Sequence, residues 1–323
     1  MRAALALAAA AALAAGAPAG ARTLSAGAGQ DYAKPSLAIA AAAPGDTVLI
    51  EPGEYYDCAI VTADGLTIAG RAPGAVMTDT ACEGKAILVI RGNDTIVRDL
   101  ALNRARVPDG NGAGIRLEGQ GLVLTGVTFV NDQVGVLAGA VGPGRVRLSD
   151  CRFERVGTEG GGTEGGRPSA ALFVAAVAGL AVERTVFEET RGTGIASAAL
   201  STIITGSRIE ATRFAVSASG ALALEDDVLE LSPVADGRQA AVLATGEAPA
   251  VLRRNRLVNR TGRPATLLLD WTGASPILAD NVVVAGDRLI GSDGLWRHRA
   301  GGAFRALKDG ARDLLGAAKR ALR

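Results

Sequence analysis

The chain has few of the residues that most often carry catalysis and stacking. Only 3% of its 323 residues are aromatic, and it contains one histidine, two methionines and three cysteines. The single histidine, His298, lies in a basic C-terminal segment, which disfavours a site that uses histidine as a general base. The cysteines and the histidine show no spacing that suits a metal site.

Long apolar runs are also missing after the N-terminus. No run of about 18 apolar residues follows residue 21, so we expect no transmembrane helix in the mature chain. Residues 1–296 carry a net charge of about −5 and lack a basic aromatic surface, so we expect no nucleic-acid partner. The glycine motifs lie in repeated turns rather than between a strand and a helix, which disfavours dinucleotide binding.

The first 21 residues have the pattern of an export signal. One arginine precedes a run rich in Ala and Leu, and the small residues Ala19, Gly20 and Ala21 stand directly before Arg22. We therefore predict that residues 1–21 are a signal peptide. The mature protein would then be periplasmic or extracellular.

One sequence motif, here called the repeated phrase, occurs eight times between residues 96 and 283. Each copy has a short apolar strand, a polar or tight pair, a large apolar anchor and a glycine-rich turn. Successive anchors are 20 to 34 residues apart, and they are Leu102, Phe129, Phe153, Phe187, Ile209, Leu229, Leu257 and Val283. Units of this length cannot bury an apolar face alone, so they must stack to form a continuous core.

A second short strand follows most anchors, as in GIRL at residue 114 and ALFV at residue 171. Gly, Asn, Asp or Pro separates the strands, as turns require. A hairpin array would need tight two-residue turns, whereas these irregular turns suit a coil that climbs as it winds. The repeat therefore predicts an all-β fold, a single-stranded right-handed parallel β-helix over residues 22–296.

The residues two positions before each anchor should stack on one another at one corner of this coil. They are Leu100, Val127, Cys151, Thr185, Ser207, Asp227, Asn255 and Asn281. The later members are polar, and stacked polar side chains can satisfy turn amides that would otherwise be buried without partners. We therefore predict an internal hydrogen-bonded ladder along this corner.

The segment SLAIAAAAPGDTVLIEPGEYYD, residues 36–57, resembles the start of pectin-lyase-like right-handed β-helix proteins. In those proteins a short helix caps the barrel and a PGD turn leads into the first strand, so the resemblance implies an N-terminal capping helix here. It covers most of the mature chain and concerns the fold. The same superfold contains lyases, hydrolases, esterases, epimerases and non-catalytic proteins, so the fold does not specify an activity.

Export permits disulfide bonds, and the cysteine spacing suggests one. Cys58 and Cys82 are 24 residues apart, about one turn of the coil. Stacked neighbours in adjacent turns can lie within the distance that a disulfide needs, so we predict a Cys58–Cys82 bond. Cys151 falls in the ladder row, and we interpret it as a small buried hydrophobic residue.

Residues 297–323 form a basic segment with a net charge of +6. Apolar residues such as Phe304, Leu307, Leu314 and Leu322 recur there at helical spacing, which predicts an amphipathic C-terminal helix. The helix could dock its apolar stripe on the barrel, or it could lie on an anionic membrane or polysaccharide surface.

The outward positions of the second strands favour docking of this helix. Alternation places Leu137, Phe173, Leu243 and Leu268 on the outer side of the barrel, where the face is largely apolar. An exposed apolar stripe needs a cover, and the C-terminal helix is the nearest candidate.

The best candidate site is a polar cluster in the segment 104–119 and in the turn that follows one repeat later. Enzymes of the superfold that the chain resembles act on acidic polysaccharides in a groove on the outer face of the barrel. The resemblance therefore implies that a site would lie among outward-facing residues. The proposed substrate-binding residues are Arg104, Arg106, Asn111, Glu118 and Asn131, and the proposed catalytic residues are Asp109, Arg116 and Asp132. Arginine pairs bidentately with carboxylates, while Asp109 and Asp132 could hold Ca²⁺ or act as an acid and a base.

These polar residues have an alternative role that involves no ligand. They could satisfy the backbone of the turns, and the arginines could form ion pairs with acids on neighbouring turns of the coil. The chain also lacks the DPHD-type motif of alginate epimerases and the paired aspartates of pectin methylesterases.

Two functional hypotheses follow for what we expect to be a monomer. The first is an enzyme on acidic polysaccharide, which on a uronate substrate with Ca²⁺ would give an unsaturated product. The second is a non-catalytic scaffold or carbohydrate-binding protein of the cell envelope. In both cases the expected partner is a polysaccharide or glycan.

Overall fold

The computed structural model describes residues 20–139, 142, 144–157, 170–233, 240–261, 266–270, 272, 274–285, 288–290 and 296–298. Within these residues the chain is an all-β solenoid built from three sheets, here named A, B and C. Each complete turn of the coil adds one strand to each sheet. Strands of the same sheet pair in parallel, because the chain returns to each sheet one turn later in the same direction.

The strands are distributed over the three sheets as follows. Sheet A contains β1 (Thr23–Ala26), β2 (Thr47–Ile50), β5 (Thr67–Gly70), β8 (Thr95–Arg98), β11 (Leu122–Thr125), β14 (Arg145–Ser149), β17 (Gly179–Glu183), β20 (Ser201–Thr205), β23 (Ala221–Glu225), β26 (Val251–Arg253) and β29 (Ile277–Ala279). Sheet B contains β3 (Gly53–Tyr55), β6 (Ala75–Thr78), β9 (Ala101–Asn103), β12 (Thr128–Val130), β15 (Arg152–Glu154), β18 (Val186–Thr190), β21 (Arg208–Ala211), β24 (Val228–Leu231), β27 (Arg256–Asn259), β30 (Val282–Ala285) and β31 (Arg288–Ile290). Sheet C contains β4 (Ala59–Val61), β7 (Ala86–Ile90), β10 (Ala113–Leu117), β13 (Val134–Ala138), β16 (Ala170–Ala175), β19 (Thr193–Ala198), β22 (Val216–Ala218), β25 (Ala240–Ala244), β28 (Thr266–Asp270) and β32 (Trp296–His298). β31 pairs antiparallel with β30.

The eight predicted anchors form one buried row on the inner side of sheet B. Each pairs in register with the next, from Leu102 opposite Phe129 to Leu257 opposite Val283. All eight are buried in the central core. The stacking that the repeat predicts is therefore confirmed.

Three phenylalanines in this row stack on one another. The ring centroids of Phe129 and Phe153 lie 4.6 Å apart, and those of Phe153 and Phe187 lie 4.3 Å apart. Room for the rings comes from glycines in the facing strands of sheet C, because a Cβ on Gly135 would lie 2.5 Å from the ring of Phe153. A Cβ on Gly114 would meet the ring of Phe129 in the same way, at 2.6 Å.

The first turns of the coil lack the repeated phrase but follow the same geometry. Tyr55 and Met77 precede Leu102 in the anchor row. The helix α1 (Pro35–Ala41) packs against β1, β2 and β4, and it buries Ala38 and Ile39 in the core of these turns. The helix precedes the PGD turn, as in the proteins that the segment resembles, but β1 lies before the helix and the turn leads into β2 rather than into the first strand.

The predicted ladder is present along the corner between sheets A and B. Each polar member accepts a hydrogen bond from the backbone N–H of the member one turn earlier: Thr185 from Cys151 at 3.4 Å, Ser207 from Thr185 at 3.1 Å, Asp227 from Ser207 at 2.8 Å, Asn255 from Asp227 at 3.0 Å and Asn281 from Asn255 at 2.9 Å. All of these side chains are buried. The ladder therefore satisfies amides that no solvent reaches.

Asp227 is the one acidic member of this ladder, and its carboxyl group has a perturbed pKa. Burial raises the pKa of Asp227 to about 7, although hydrogen bonds from the Ser207 and Glu225 amides oppose the shift. Between its usual pKa near 4 and about pH 7 the folded state holds a proton that the unfolded state releases. This group therefore makes the protein less stable as the pH rises across that window.

We expect Asp227→Asn to stabilise the protein at pH 8 by about 2–4 kcal/mol and to have little effect at pH 4. A neutral Asn can adopt the pattern of Asn255 and Asn281, whose amide groups donate to the carbonyls of Leu224 and Leu252. Urea denaturation at the two pH values measures the difference.

Asp226→Asn is the matched control for this substitution. Asp226 is exposed, and the hydrogen bond from Arg254 lowers its pKa, so its contribution to stability has the opposite sign. Removing this ion pair gives no stabilisation at pH 8. Stabilisation by both variants would contradict the ladder explanation.

The outer side of sheet C carries a second apolar row. It contains Val89, Arg116, Leu137, Phe173, Ala196, Ser217, Leu243 and Leu269. Most of its apolar members are buried and form clusters separate from the central core. This outer face is therefore apolar, as expected, and most of its apolar side chains are buried.

The predicted position of Leu268 in that row is wrong. Leu268 pairs with Val242 and lies in the central core, and its neighbour Leu269 occupies the outer row opposite Leu243. Three consecutive leucines provide no alternation that would define the register, and a slip of one residue exchanges the two faces of a strand.

The two chain ends are only partly covered by the structure. Residues 1–19, and with them most of the predicted signal peptide, lie outside the described residues, as do residues 299–323 of the predicted C-terminal helix. Arg297 and His298 belong to β32, which extends sheet C two residues past the boundary predicted at residue 296. Among the described residues, no helix is long and apolar enough to cross a membrane.

Candidate functional site

The segment 104–112 connects β9 to β10, and side chains of the next turn hold it in place. The Asp132 carboxylate accepts a hydrogen bond from the Ala105 amide at 2.6 Å. Gln133 Oε1 accepts from the amides of Val107 and Gly112 at 2.9 and 2.8 Å, and its Nε2 donates to the Val107 carbonyl at 3.1 Å. Two consecutive side chains therefore fix both ends of this loop.

Asp132, one of the three proposed catalytic residues, is only 1% exposed. Burial raises its pKa well above the usual range, against the opposing effects of the Ala105 amide and of the positive charge of Arg106. Its position in the coil matches that of Ala105 one turn earlier and Val156 one turn later, both of which are buried. The contacts of Asp132 are those of a residue that organises a turn.

The arginines of the segment are engaged in contacts on the outside of sheet B. Arg104 donates to both carboxylate oxygens of Asp79, at 2.7 to 3.0 Å, and to Glu54 at 2.8 Å. These acids raise the pKa of Arg104, and Arg104 in turn lowers the pKa of Asp79. Arg106 donates to the side chain and the carbonyl of Asn131 at 2.9 and 3.1 Å.

Arg116 lies on the other side of the loop, in the outer row of sheet C. It is 2% exposed and pairs in register with Val89 and Leu137. Burial lowers the pKa of Arg116, while the negative charges of Glu118 and Asp109 act to raise it. Asp109 is exposed and accepts a long hydrogen bond, 3.4 Å, from the amide of Asn111.

Glu118 belongs to a cluster of four charged residues that crosses the outer face of β7, here called the β7 cluster: Glu83, Lys85, Arg91 and Glu118. Lys85 donates to Glu118 at 2.7 Å and to Glu83 at 3.1 Å, and Arg91 donates to Glu118 at 3.0 Å and to Glu83 at 2.5 Å. Lys85 lies directly before β7 and Arg91 directly after it. Glu83 and Glu118, which both cations bind, therefore lie over the outer face of this strand. Val89, at the centre of this face, is fully buried.

The β7 cluster is charged at neutral pH. Burial acts to raise the pKa of Glu118, but the hydrogen bonds from Lys85 and Arg91 outweigh it, and the pKa is lowered. The pKa of Glu83 is lowered by hydrogen bonds from Arg91 and Lys85, and that of Lys85 is raised by Glu118. Lys85 and Arg91 keep 34% and 40% of their side-chain surface exposed, so a ligand can reach both cations.

The predicted disulfide is present beside this cluster. Cys58 and Cys82 are bonded, with their Cα atoms 5.5 Å apart. The bond joins the turn before β7, which carries Glu83 and Lys85, to the segment before β4 in the preceding turn. Cys151 is a buried free thiol, and burial raises its pKa to about 11, as suits a structural residue.

The structure thus divides the candidate residues into three groups. Asp109 and Glu118 lie within electrostatic reach of Arg116, and Glu118 also belongs to the β7 cluster. Asn111 contacts Asp109 through its amide. Arg104, Arg106 and Asn131 lie on the outside of sheet B, and Asp132 holds the loop. Glu83, Lys85 and Arg91 did not emerge from the sequence analysis.

The two acids proposed as calcium ligands do not fit that role. Asp132 directs one carboxylate oxygen at a backbone amide and is buried, whereas Asp109 is exposed. Calcium takes six to eight oxygen ligands. Within the described ranges, no three His, Cys, Asp or Glu side chains are grouped so that they could hold a metal ion.

Comparison with known proteins concerns the fold. No family model and no curated protein sequence matches the chain. The pectin methylesterase PemA from Erwinia chrysanthemi superposes with a TM-score of 0.50 at 13% identity, over 93% of this chain and 98% of that one. The chain shares the parallel β-helix fold of this esterase.

Two further solved structures are more distant. A pectin methylesterase from Aspergillus niger has a TM-score of 0.47 at 12% identity, over 89% of this chain and 92% of that one. The A-module of the mannuronan C-5 epimerase AlgE4 from Azotobacter vinelandii has a TM-score of 0.35 at 13% identity, over 80% and 90% of the two chains. We draw no conclusion about activity from these two structures.

Proposed function

We propose that the protein is exported and binds an acidic polysaccharide on the outer face of sheet C, at the β7 cluster. The observation that carries the proposal is the placement of two accessible cations, Lys85 and Arg91, around the same two carboxylates. Cations that already hold carboxylates at 2.5 to 3.1 Å are suited to the carboxylate of a uronate sugar.

Glu83 is the carboxylate that a ligand would replace in this proposal. It lies in the turn before β7 and is 35% exposed, whereas Glu118 is less exposed and is bonded from the strand side. A sugar carboxylate that approaches from solvent therefore meets Arg91 and Lys85 where Glu83 now binds. The disulfide at Cys82 fixes this turn and keeps the arrangement ready for the ligand.

Two features support export and a polysaccharide partner. A disulfide such as Cys58–Cys82 forms and persists in oxidising compartments, which include the periplasm and the cell exterior. The fold is shared with a pectin methylesterase, a protein named for its action on pectin.

Binding to this site is expected to respond in opposite directions to two kinds of substitution. Replacing Lys85 and Arg91 by Gln removes two charge-assisted hydrogen bonds and should weaken binding of oligogalacturonate by about tenfold or more. Glu83→Gln removes the internal competitor and should tighten binding by about threefold. Isothermal titration measures both changes, with neutral galactan as the control ligand.

Arg254→Gln is the matched control, because Arg254 is an exposed arginine that also binds two carboxylates, those of Asp226 and Glu225. It lies at the corner between sheets A and B, away from the β7 cluster, and its loss should leave binding unchanged. Absence of saturable binding to both oligogalacturonate and oligomannuronate would contradict the proposal. Arg254→Gln weakening the binding as much as the Lys85 and Arg91 substitutions would also contradict it.

A catalytic function is the second candidate, and the environment of Arg116 is the observation that favours it. Arg116 is buried, burial lowers its pKa, and the charged neighbours Asp109 and Glu118 oppose that shift. At 2% exposure Arg116 is much less accessible than Lys85 or Arg91, so we favour binding. Formation of an ultraviolet-absorbing unsaturated product from a uronate polymer, abolished by Arg116→Gln, would establish the catalytic alternative.

A further inference from the structure

Arg22 is bound at the start of the barrel by a single carboxylate. Its backbone nitrogen donates to Asp46 Oδ1 at 2.8 Å, and its guanidinium donates to Asp46 Oδ2 through Nε at 3.0 Å and Nη2 at 2.6 Å. Nη2 also donates to the carbonyl of Ala41. One acidic side chain thus binds both the main chain and the side chain of the same residue.

Asp46 is positioned for this contact by the PGD turn in which it lies. Its Oδ2 accepts a further hydrogen bond from the Ala43 amide at 2.8 Å, and the residue is 2% exposed. The side-chain hydrogen bond from Arg22, followed by those of the Ala43 and Arg22 amides, lowers the pKa of Asp46 to about 2. The carboxylate therefore stays ionised at all physiological pH values.

The chain leaves the barrel directly before this contact. The backbone carbonyl of Arg22 accepts a hydrogen bond from the amide of Thr47, and β1 begins at Thr23. Gly20 and Ala21 are exposed, and a Cβ on Gly20 would meet no atom within 4 Å. The peptide bond between Ala21 and Arg22 is thus flanked by small accessible residues on one side and by the fixed strand on the other.

We propose that the chain is cut between Ala21 and Arg22 and that Asp46 is the binding site of the new α-ammonium group. The cut is a hydrolysis: water adds across the peptide bond, Ala21 leaves with a carboxylate, and Arg22 keeps its nitrogen as an amine that takes up a proton. In the precursor that nitrogen is a neutral amide with one donor. After the cut it carries a positive charge at the same place, 2.8 Å from Oδ1.

This exchange strengthens a strand at the end of sheet A. β1 is the first strand of that sheet, and its strand partner is β2. The Arg22 nitrogen already donates to an ionised carboxylate. A positive charge on the same nitrogen adds the attraction of an ion pair to that hydrogen bond. The processed chain would therefore close the N-terminal end of the barrel more firmly than its precursor.

The test uses the full chain, exported and cleaved in a bacterial host, and a variant with one Gly inserted between Ala21 and Arg22. Intact mass should show that the unaltered protein begins at Arg22 and that the variant begins at the inserted Gly. The insertion restores a neutral amide at Arg22 and moves the charge away from Asp46. The melting temperature of the variant should be about 2 °C lower.

The same insertion in an Asp46→Asn background is the control, and there it should cause no further loss. An N-terminus at a position other than Arg22 would overturn the proposal. So would an unchanged melting temperature, or an equal decrease in both backgrounds. If Asp46→Asn is not recovered as folded protein, the mass and the single insertion still decide between the outcomes.

Discussion

Replacing Phe153 by alanine is expected to lower the free energy of unfolding by about 3–5 kcal/mol, the largest effect of any single substitution considered for this protein. Phe153 is the middle of three stacked rings, and its own ring is fully buried between those of Phe129 and Phe187. The facing Gly135 has no side chain that could fill the space. Urea denaturation followed by circular dichroism measures the loss.

Leu200→Ala is the control for this substitution, because Leu200 is a large apolar residue that is 76% exposed. A surface substitution of this kind should change stability by no more than about 0.5 kcal/mol. Each turn of a solenoid contacts only its neighbours, so the Phe153 variant should also unfold over a broader range of urea. Equal small losses in the two variants would mean that the stacked row does not support the core.

Removing the Cys58–Cys82 bond, by replacing both residues with alanine, should destabilise the protein by about 3 kcal/mol. The bond closes a loop of 24 residues and joins the turn before β7 to the previous turn of the coil. Differential scanning calorimetry of the exported protein and of the double variant measures the shift in melting temperature.

Reduction provides an independent control for that result. A thiol reductant should lower the melting temperature of the unaltered protein to that of the double variant and should leave the double variant unchanged. A reductant effect on the double variant would show that the loss has another origin. Because the same bond fixes the turn that carries Glu83 and Lys85, the double variant should also bind oligogalacturonate more weakly.

Much of the fold could be predicted because two of its rows are visible in the sequence. The anchor row needs large apolar residues once per turn, and the ladder needs small or polar residues two positions earlier, so both repeat with the period of the coil. Where neighbouring residues do not differ in size or polarity, the sequence does not show which of them face the core. The run Leu267–Leu269 shows this, because three identical side chains cannot indicate which of them faces the core.

The β7 cluster could not be found in the same way. Lys85 and Arg91 belong to an early turn that lacks the repeated phrase, and they contact Glu118 over 33 and 27 residues of sequence. Such contacts depend on the register of β7 against β10, which no local pattern states. The sequence pattern therefore points to Glu118 but not to Lys85, Arg91 or Glu83.

Asp132 illustrates a second limit on predicting the candidate site from the sequence. In sequence it stands among polar neighbours and resembles a surface acid. In the coil it occupies a position that is apolar in the adjacent turns, where its carboxylate binds the Ala105 amide. Polar side chains at turns can bind the backbone or a ligand, and only the placement of each side chain in the structure distinguishes the two roles.

The central claim, that acidic polysaccharide binds at the β7 cluster, is tested most directly by protection of Lys85 from an amine-reactive label. The protein is labelled briefly with and without saturating oligogalacturonate, and the rate at each lysine is read by mass spectrometry. Lys34, an exposed residue before α1, is the internal control. We expect the ligand to slow labelling of Lys85 severalfold and to leave Lys34 unchanged, and bound ligand with undiminished labelling of Lys85 would contradict the claim.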